Sequence, residues 1–121
     1  MSQNPINLTV RFLLEIFALA ALGAWAKAYF PGMLGFILMI AIPVLAAVVW
    51  GMFNVKGDPS RSGKAPVPVP GIVRLLLELV IFGSAAWALF SIKPTYGWIF
   101  STVTLLHYLL SYDRILWLLN R

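Results

Sequence analysis

The chain has 121 residues, 61% of them hydrophobic and 11% charged, with a mean hydropathy of +0.90 and a formal net charge of +5. That length makes one domain, and that composition lies far outside the soluble range, so the bilayer is its natural solvent. There is no cysteine, which excludes disulfides, thiolate metal sites and Cys-pair redox cycles; the nine Lys and Arg residues flank apolar runs instead of gathering on one solvated face, which excludes a nucleic-acid partner.

In chain order, Met1 to Thr9 is polar and uncharged, unlike the basic start of a secretory signal, so the first apolar segment is expected to stay in the mature protein. A helix needs about 20 apolar residues to cross roughly 30 Å of hydrocarbon. The first stretch that qualifies runs over about 8–29; it carries Arg11 and Glu15 near its start and Ala20, Ala24 and Ala28 at helical spacing. Such a strip lets helices approach closely, within the bundle or in a homodimer. Pro31-Gly32 turns the chain into a second span over about 33–54, where Pro43 removes one backbone hydrogen bond and frees a carbonyl. The linker, about 55–71, holds Gly57, Asp58, Pro59, Ser60 and Gly63, then the alternating Pro66, Pro68 and Pro70, a pattern that favours extended, polyproline-like backbone along the membrane surface. A third span follows over about 72–92, with Arg74 and Glu78 near its start and Gly83, Ser84 and Ala88 further along. Lys93-Pro94 makes the last turn before a fourth, more polar span over about 95–119. The expected fold is an all-α membrane protein: one membrane domain, 1–121, with four transmembrane helices as two hairpins forming a bundle.

Lys56, Arg61 and Lys64 of the linker, with Arg11, Arg74, Arg114 and Arg121, fall on one side of that arrangement, and Lys27 and Lys93 on the other. By the positive-inside rule the linker and both termini are cytoplasmic and the hairpin turns lie outside. The shift that carries Val10-Arg11-Phe12-Leu13-Leu14-Glu15 onto Val73-Arg74-Leu75-Leu76-Leu77-Glu78 also carries Pro31 onto Pro94. The chain therefore reads as a duplicated hairpin in parallel orientation.

These residues, with Ile42-Pro43 through Trp50-Gly51-Met52-Phe53 and Val80-Ile81-Phe82-Gly83, resemble the YrdB family of small four-helix bacterial membrane proteins, whose function is not established. The resemblance covers the first three helices and the linker. It implies a bacterial inner membrane and a four-helix bundle, and supplies no catalytic residues.

Ionisable groups inside a span are the strongest functional clue in such a protein, because Arg, Lys or Asp at mid-membrane costs about 2.5–3.5 kcal/mol on the insertion scale. Arg11 with Glu15, and Arg74 with Glu78, stand four residues apart and share a helix face, where each pair can neutralise itself. Two readings follow: anchoring ion pairs, or a pseudo-symmetric pair of carboxylates, Glu15 and Glu78, that takes up a cation or proton. In the last span Thr104, His107, Ser111 and Arg114 share a face while Asp113 points away, and Asp113 with Arg114 reads as an interfacial pair. A lone histidine without cysteine builds neither a haem nor a zinc site, so no cofactor is expected; His107 reads as a buried, hydrogen-bonded ring or as a proton relay to the carboxylates. Lys56, Arg61 and Lys64 form a basic rim suited to anionic lipid.

No paired nucleophile and base, acidic metal cluster or glycine-rich phosphate loop is present, so an enzyme is not expected. The leading expectation is a structural or regulatory membrane protein that binds lipid, another membrane protein or a second copy of itself. The alternative is a proton- or cation-coupled transporter or channel subunit that uses Glu15 and Glu78.

Overall fold

The computed structural model describes residues 5–55 and 66–120. Lys56, Arg61 and Lys64 of the expected basic rim, with Gly57, Asp58, Pro59, Ser60 and Gly63 of the linker and Arg121, lie outside the described residues. The class is all-α. Helix α1 spans Pro5–Tyr29, α2 Gly32–Met52, α3 Gly71–Ile92, α4 Pro94–Leu110 and α5 Tyr112–Leu119, and two short strands, β1 (Phe53–Asn54) and β2 (Val67–Pro68), join the ends of the linker.

The turns follow from local chemistry. Pro31 is extended (φ −78°, ψ 157°) and cannot continue a helix, and Gly32 takes φ +63°, a left-handed conformation that side chains resist. At the other hairpin Lys93 is extended (φ −156°, ψ 118°) and Pro94 opens α4, where its missing N–H has no helical acceptor to lose. At the linker, β1 and β2 pair in parallel, and the Val69 amide donates to the Asn54 carbonyl at 3.0 Å. Asn54, itself buried, donates from Nδ2 to the Gly51 carbonyl at 2.6 Å and so satisfies one of the last acceptors of α2.

Two expectations need correction. The fourth rod is not one helix: it breaks at Ser111 (φ −106°, ψ 27°) into α4 and α5. The Ser111 amide still donates to the carbonyls of His107 (3.0 Å) and Tyr108 (3.2 Å), so the break redirects the chain without orphaning that backbone group. Nor is the packing strip of α1 made by Ala20, Ala24 and Ala28, which are exposed; the buried strip is Leu14, Ala18, Ala21 and Ala26.

Helix α3 is central and packs against α1, α4 and α5, while α2 rests mainly on α1. Phe82 of α3 is the hub of the apolar core, edge-on to Trp50 (5.2 Å between centroids) and Tyr108 (5.9 Å) and tilted against Phe100 (6.1 Å). Between α1 and α2, a Cβ on Gly23 would fall 2.8 Å from the Met39 carbonyl oxygen and 3.1 Å from Pro43 Cγ. Met39 is the residue whose carbonyl gets no amide proton from Pro43, so glycine lets α1 close over the acceptor that proline leaves.

The outside of the helices is apolar and the inside holds charge. Phe12, Phe17, Ile40, Leu45, Val80, Trp98, Leu105 and Leu109 are exposed, whereas Arg11, Arg74, Glu78 and Arg114 are buried. Among the described residues three helices, α1, α2 and α3, are long and apolar enough to cross a membrane.

The position of α5 depends on Gly71, because a Cβ there would run into the backbone of Leu118. Gly71→Ala should push α5 off α3 and lower stability by about 1–3 kcal/mol, the usual range for overpacking against a rigid neighbour. Thermal melting in detergent, followed by far-ultraviolet circular dichroism, checks this.

Candidate functional site

The last helical turns of α2, the first of α1 and α3, the end of α4 and all of α5 meet at one end of the bundle, and Glu78 lies at their centre with no solvent exposure. Its carboxylate faces three guanidinium groups. Arg114 of α5 grips it with both nitrogens, Nη1 donating to Oε1 at 2.9 Å and Nη2 to Oε2 at 2.8 Å. Arg74, one turn back on the same helix, donates from Nε to Oε2 at 2.9 Å. Arg11 of α1 brings Nη2 to within 2.8 Å of Oε2 as an ion pair. The Tyr108 hydroxyl of α4 donates to Oε1 at 2.9 Å. Fork-on-fork contact is the strongest geometry that a carboxylate and an arginine can adopt, and here it links helices far apart in sequence.

Arg74 has a second task. Its Nη1 donates to the carbonyls of Trp50 (2.6 Å) and Phe53 (2.9 Å), and its guanidinium lies 5.1 Å from the Trp50 ring centroid. The C-terminal carbonyls of α2 carry the negative end of the helix dipole, so a buried cation there satisfies them and binds α2 to α3. This explains how α2, which buries only Gly35 and Trp50, is held in register.

A second layer lies beside the first. Asn7 of α1 donates from Nδ2 to Ser111 Oγ at 2.7 Å, and its Oδ1 stands 3.0 Å from His107 Nδ1, a contact that requires the ring proton on Nδ1. These polar side chains, all buried, tie α1 to the break between α4 and α5. Ser111 can accept from Asn7 because it stands at the break.

The sequence-predicted residues divide. Arg11, Arg74 and Glu78 come together, but the partner of Arg11 in the cluster is Glu78 of α3. Glu15 is not paired with Glu78 on a common axis; half-buried, it lines a groove between α1 and α2. His107 is held by Asn7, one layer from the carboxylate. Arg114, expected at the interface beside Asp113, turns inward and is 3% exposed, while Asp113 is exposed. Tyr108 and Asn7 had no role in the sequence reading. The helical face shared by Thr104, His107, Ser111 and Arg114 was the one signal that pointed to Arg114. Among the described residues no group of three or more His, Asp or Glu stands together as a metal site would require.

Three arginines share the Glu78 carboxylate, so losing Glu78 should do the most damage. Glu78→Gln should cost about 3–5 kcal/mol, the range for stranding a buried charge, and Tyr108→Phe about 1 kcal/mol for one hydrogen bond. Equilibrium unfolding in mixed micelles ranks the two substitutions.

Comparison with known proteins places this architecture in context. Residues 9–105 match a family described as "Protein of unknown function (DUF2568)". The chain is 43% identical over 119 residues to "Uncharacterized protein YrdB" of Bacillus subtilis (strain 168), an alignment that covers 98% of this chain and 97% of that one. No solved structure matches.

Proposed function

The chain belongs to the YrdB family of proteins of unknown function, and on that footing we propose that it is a four-span protein of the bacterial inner membrane that acts by binding, as a structural or regulatory partner of lipid or of another membrane protein. The observation that carries this reading is the inversion of polarity: exposed helix faces made of Phe, Ile, Leu and Val around a buried cluster of Arg and Glu. Water would reverse that order, and a bilayer rewards it, because only internal pairing makes charge tolerable in hydrocarbon.

Helices α1, α2 and α3 supply three spans by length and composition. The fourth crossing is α4 continued by the first turn of α5: the 17 residues of α4 rise about 25 Å at 1.5 Å each, a few ångströms short of the hydrocarbon thickness. An even number of crossings returns the C-terminal helix to the level of the first turns of α1, which agrees with the hydrogen bonds from Asn7 to Ser111 and His107. With the Lys and Arg asymmetry, that end is cytoplasmic. The exposed Ala20, Ala24 and Ala28 leave a shallow face where a second copy or a membrane partner can pack closely.

The alternative, proton- or cation-coupled transport through Glu15 and Glu78, requires a carboxylate that exchanges partners. Glu78 is closed to solvent, with both oxygens engaged by arginine and one also by tyrosine, which supports a scaffolding role for it instead.

Because the chain has no cysteine, single-cysteine labelling reads the topology directly. Lys93→Cys should react with an impermeant maleimide in intact cells, and Ser62→Cys only after permeabilisation; the opposite pattern would invert the orientation. In proteoliposomes, a proton-coupled cation flux abolished by Glu15→Gln would replace binding with transport.

A further inference from the structure

Two hydroxyls of the helices turn back onto their own chain: Thr9 donates to the Pro5 carbonyl at 2.8 Å and Ser91 to the Trp87 carbonyl at 3.0 Å. Thr104 of α4 does not. Its Oγ1 is buried and has no hydrogen-bond partner among the described residues. Two further side chains share that condition. His107, one turn along the same face, engages Asn7 through Nδ1 and leaves Nε2 unmatched; Arg11 of α1 turns Nη2 to Glu78 as an ion pair and leaves Nε and Nη1 unmatched. His107 and Arg11 are each 3% exposed, so bulk solvent serves neither, and leaving buried donors and acceptors without partners is costly.

The register of α1 against α4 brings the three groups to one level. The end of α1 lies beside the start of α4, since the Tyr29 hydroxyl donates to the Ser91 carbonyl at 2.9 Å just before the Lys93-Pro94 turn. The start of α1 lies beside the end of α4, where Asn7 meets His107 and Ser111. The two helices are therefore antiparallel. Arg11 stands about 6 Å along α1 from Asn7, and Thr104 about 4.5 Å back along α4 from His107, so both occupy the next rung. Arg11 and Tyr108, the residue after His107, also meet the same carboxylate.

We propose that one buried water molecule bridges Arg11, Thr104 and His107. Complementarity selects the ligand. With the ring proton on Nδ1, His107 Nε2 needs a donor, whereas the guanidinium of Arg11 needs an acceptor. An anion only accepts and a metal cation has no lone pair to offer; water accepts from the guanidinium and donates to the ring, and the Thr104 hydroxyl bonds to it in either sense. Three polar partners are typical of a buried water. The bridge joins the layer of Asn7, His107 and Ser111 to the Glu78 cluster, which makes one network of the two. It goes beyond the binding role proposed above and holds in micelle or bilayer alike.

The chain has a single histidine, so histidine labelled with nitrogen-15 in the ring reports on this site alone. In the full-length wild type, nuclear magnetic resonance should show Nδ1 protonated and Nε2 carrying a lone pair, with the Nε2 resonance displaced upfield from that of an unbonded ring nitrogen. Magnetisation should also pass from water to the carbon-bound ring proton beside Nε2. Thr104→Val removes one of the three partners and should abolish that transfer and return Nε2 toward the unbonded position, with Nδ1 unmoved because Asn7 still holds it. Thr104→Ser keeps a hydroxyl and should retain both signals. A protonated Nε2, an unbonded Nε2, or a bonded Nε2 without transfer from water would each overturn the proposal in the wild type alone, whether or not the variants fold. So would transfer that persists in Thr104→Val or is lost in a folded Thr104→Ser.

Discussion

A carboxylate with no access to solvent cannot remain charged unless its surroundings replace the water it has lost, and in this chain the replacement comes from four helices at once. Glu78 of α3 is met by Arg11 from α1, Tyr108 from α4, Arg114 from α5 and Arg74 from its own helix. Through Arg74 the same cluster also reaches the C-terminal end of α2. Every described helix thus touches one charge directly or through a single side chain. In an apolar surrounding such contacts gain in strength and also become harder to do without, because a partner removed is not replaced by solvent. Hydrophobic burial cannot direct helix association when lipid is as apolar as the core, so a polar centre of this kind specifies which helices meet and at what height.

The break at Ser111 allows α5 to take part. With the break, Leu118 meets Gly71 at the start of α3 and Arg114 reaches the carboxylate with both terminal nitrogens. The second polar layer, Asn7 with His107 and Ser111, fastens the break to α1. A polar residue at the break, a glycine opposite α5 and an arginine within α5 act together, and none of them makes structural sense without the others.

The two Arg-x-x-x-Glu segments show how one local motif takes two fates. On α3 the glutamate faces α1, α4 and α5, which bring an ion-paired guanidinium, a donating hydroxyl and a bidentate guanidinium. On α1 the glutamate lines a groove against α2, a helix with no ionisable residue. The likeness of the two segments ends at their surroundings: α3 holds its carboxylate buried, and α1 holds its carboxylate in a groove wall.

Much of this was legible in the sequence because it depends on local composition and period. Hydropathy and length mark the apolar rods, Pro31-Gly32 and Lys93-Pro94 mark the turns, and the spacing of four residues brings Arg74 onto Glu78. Of the face shared by Thr104, His107, Ser111 and Arg114, the last three are buried and Thr104 is half-buried. What no period contains is the identity of the neighbouring helix. It was tertiary packing that turned Leu14, Ala18, Ala21 and Ala26 inward instead of Ala20, Ala24 and Ala28, broke the last rod at Ser111, and gave Arg11 to Glu78. Helical spacing sets the angle at which a side chain leaves its own axis; which partner waits there depends on how the rods are arranged around one another, and that is settled only when a buried charge must find enough donors to replace water.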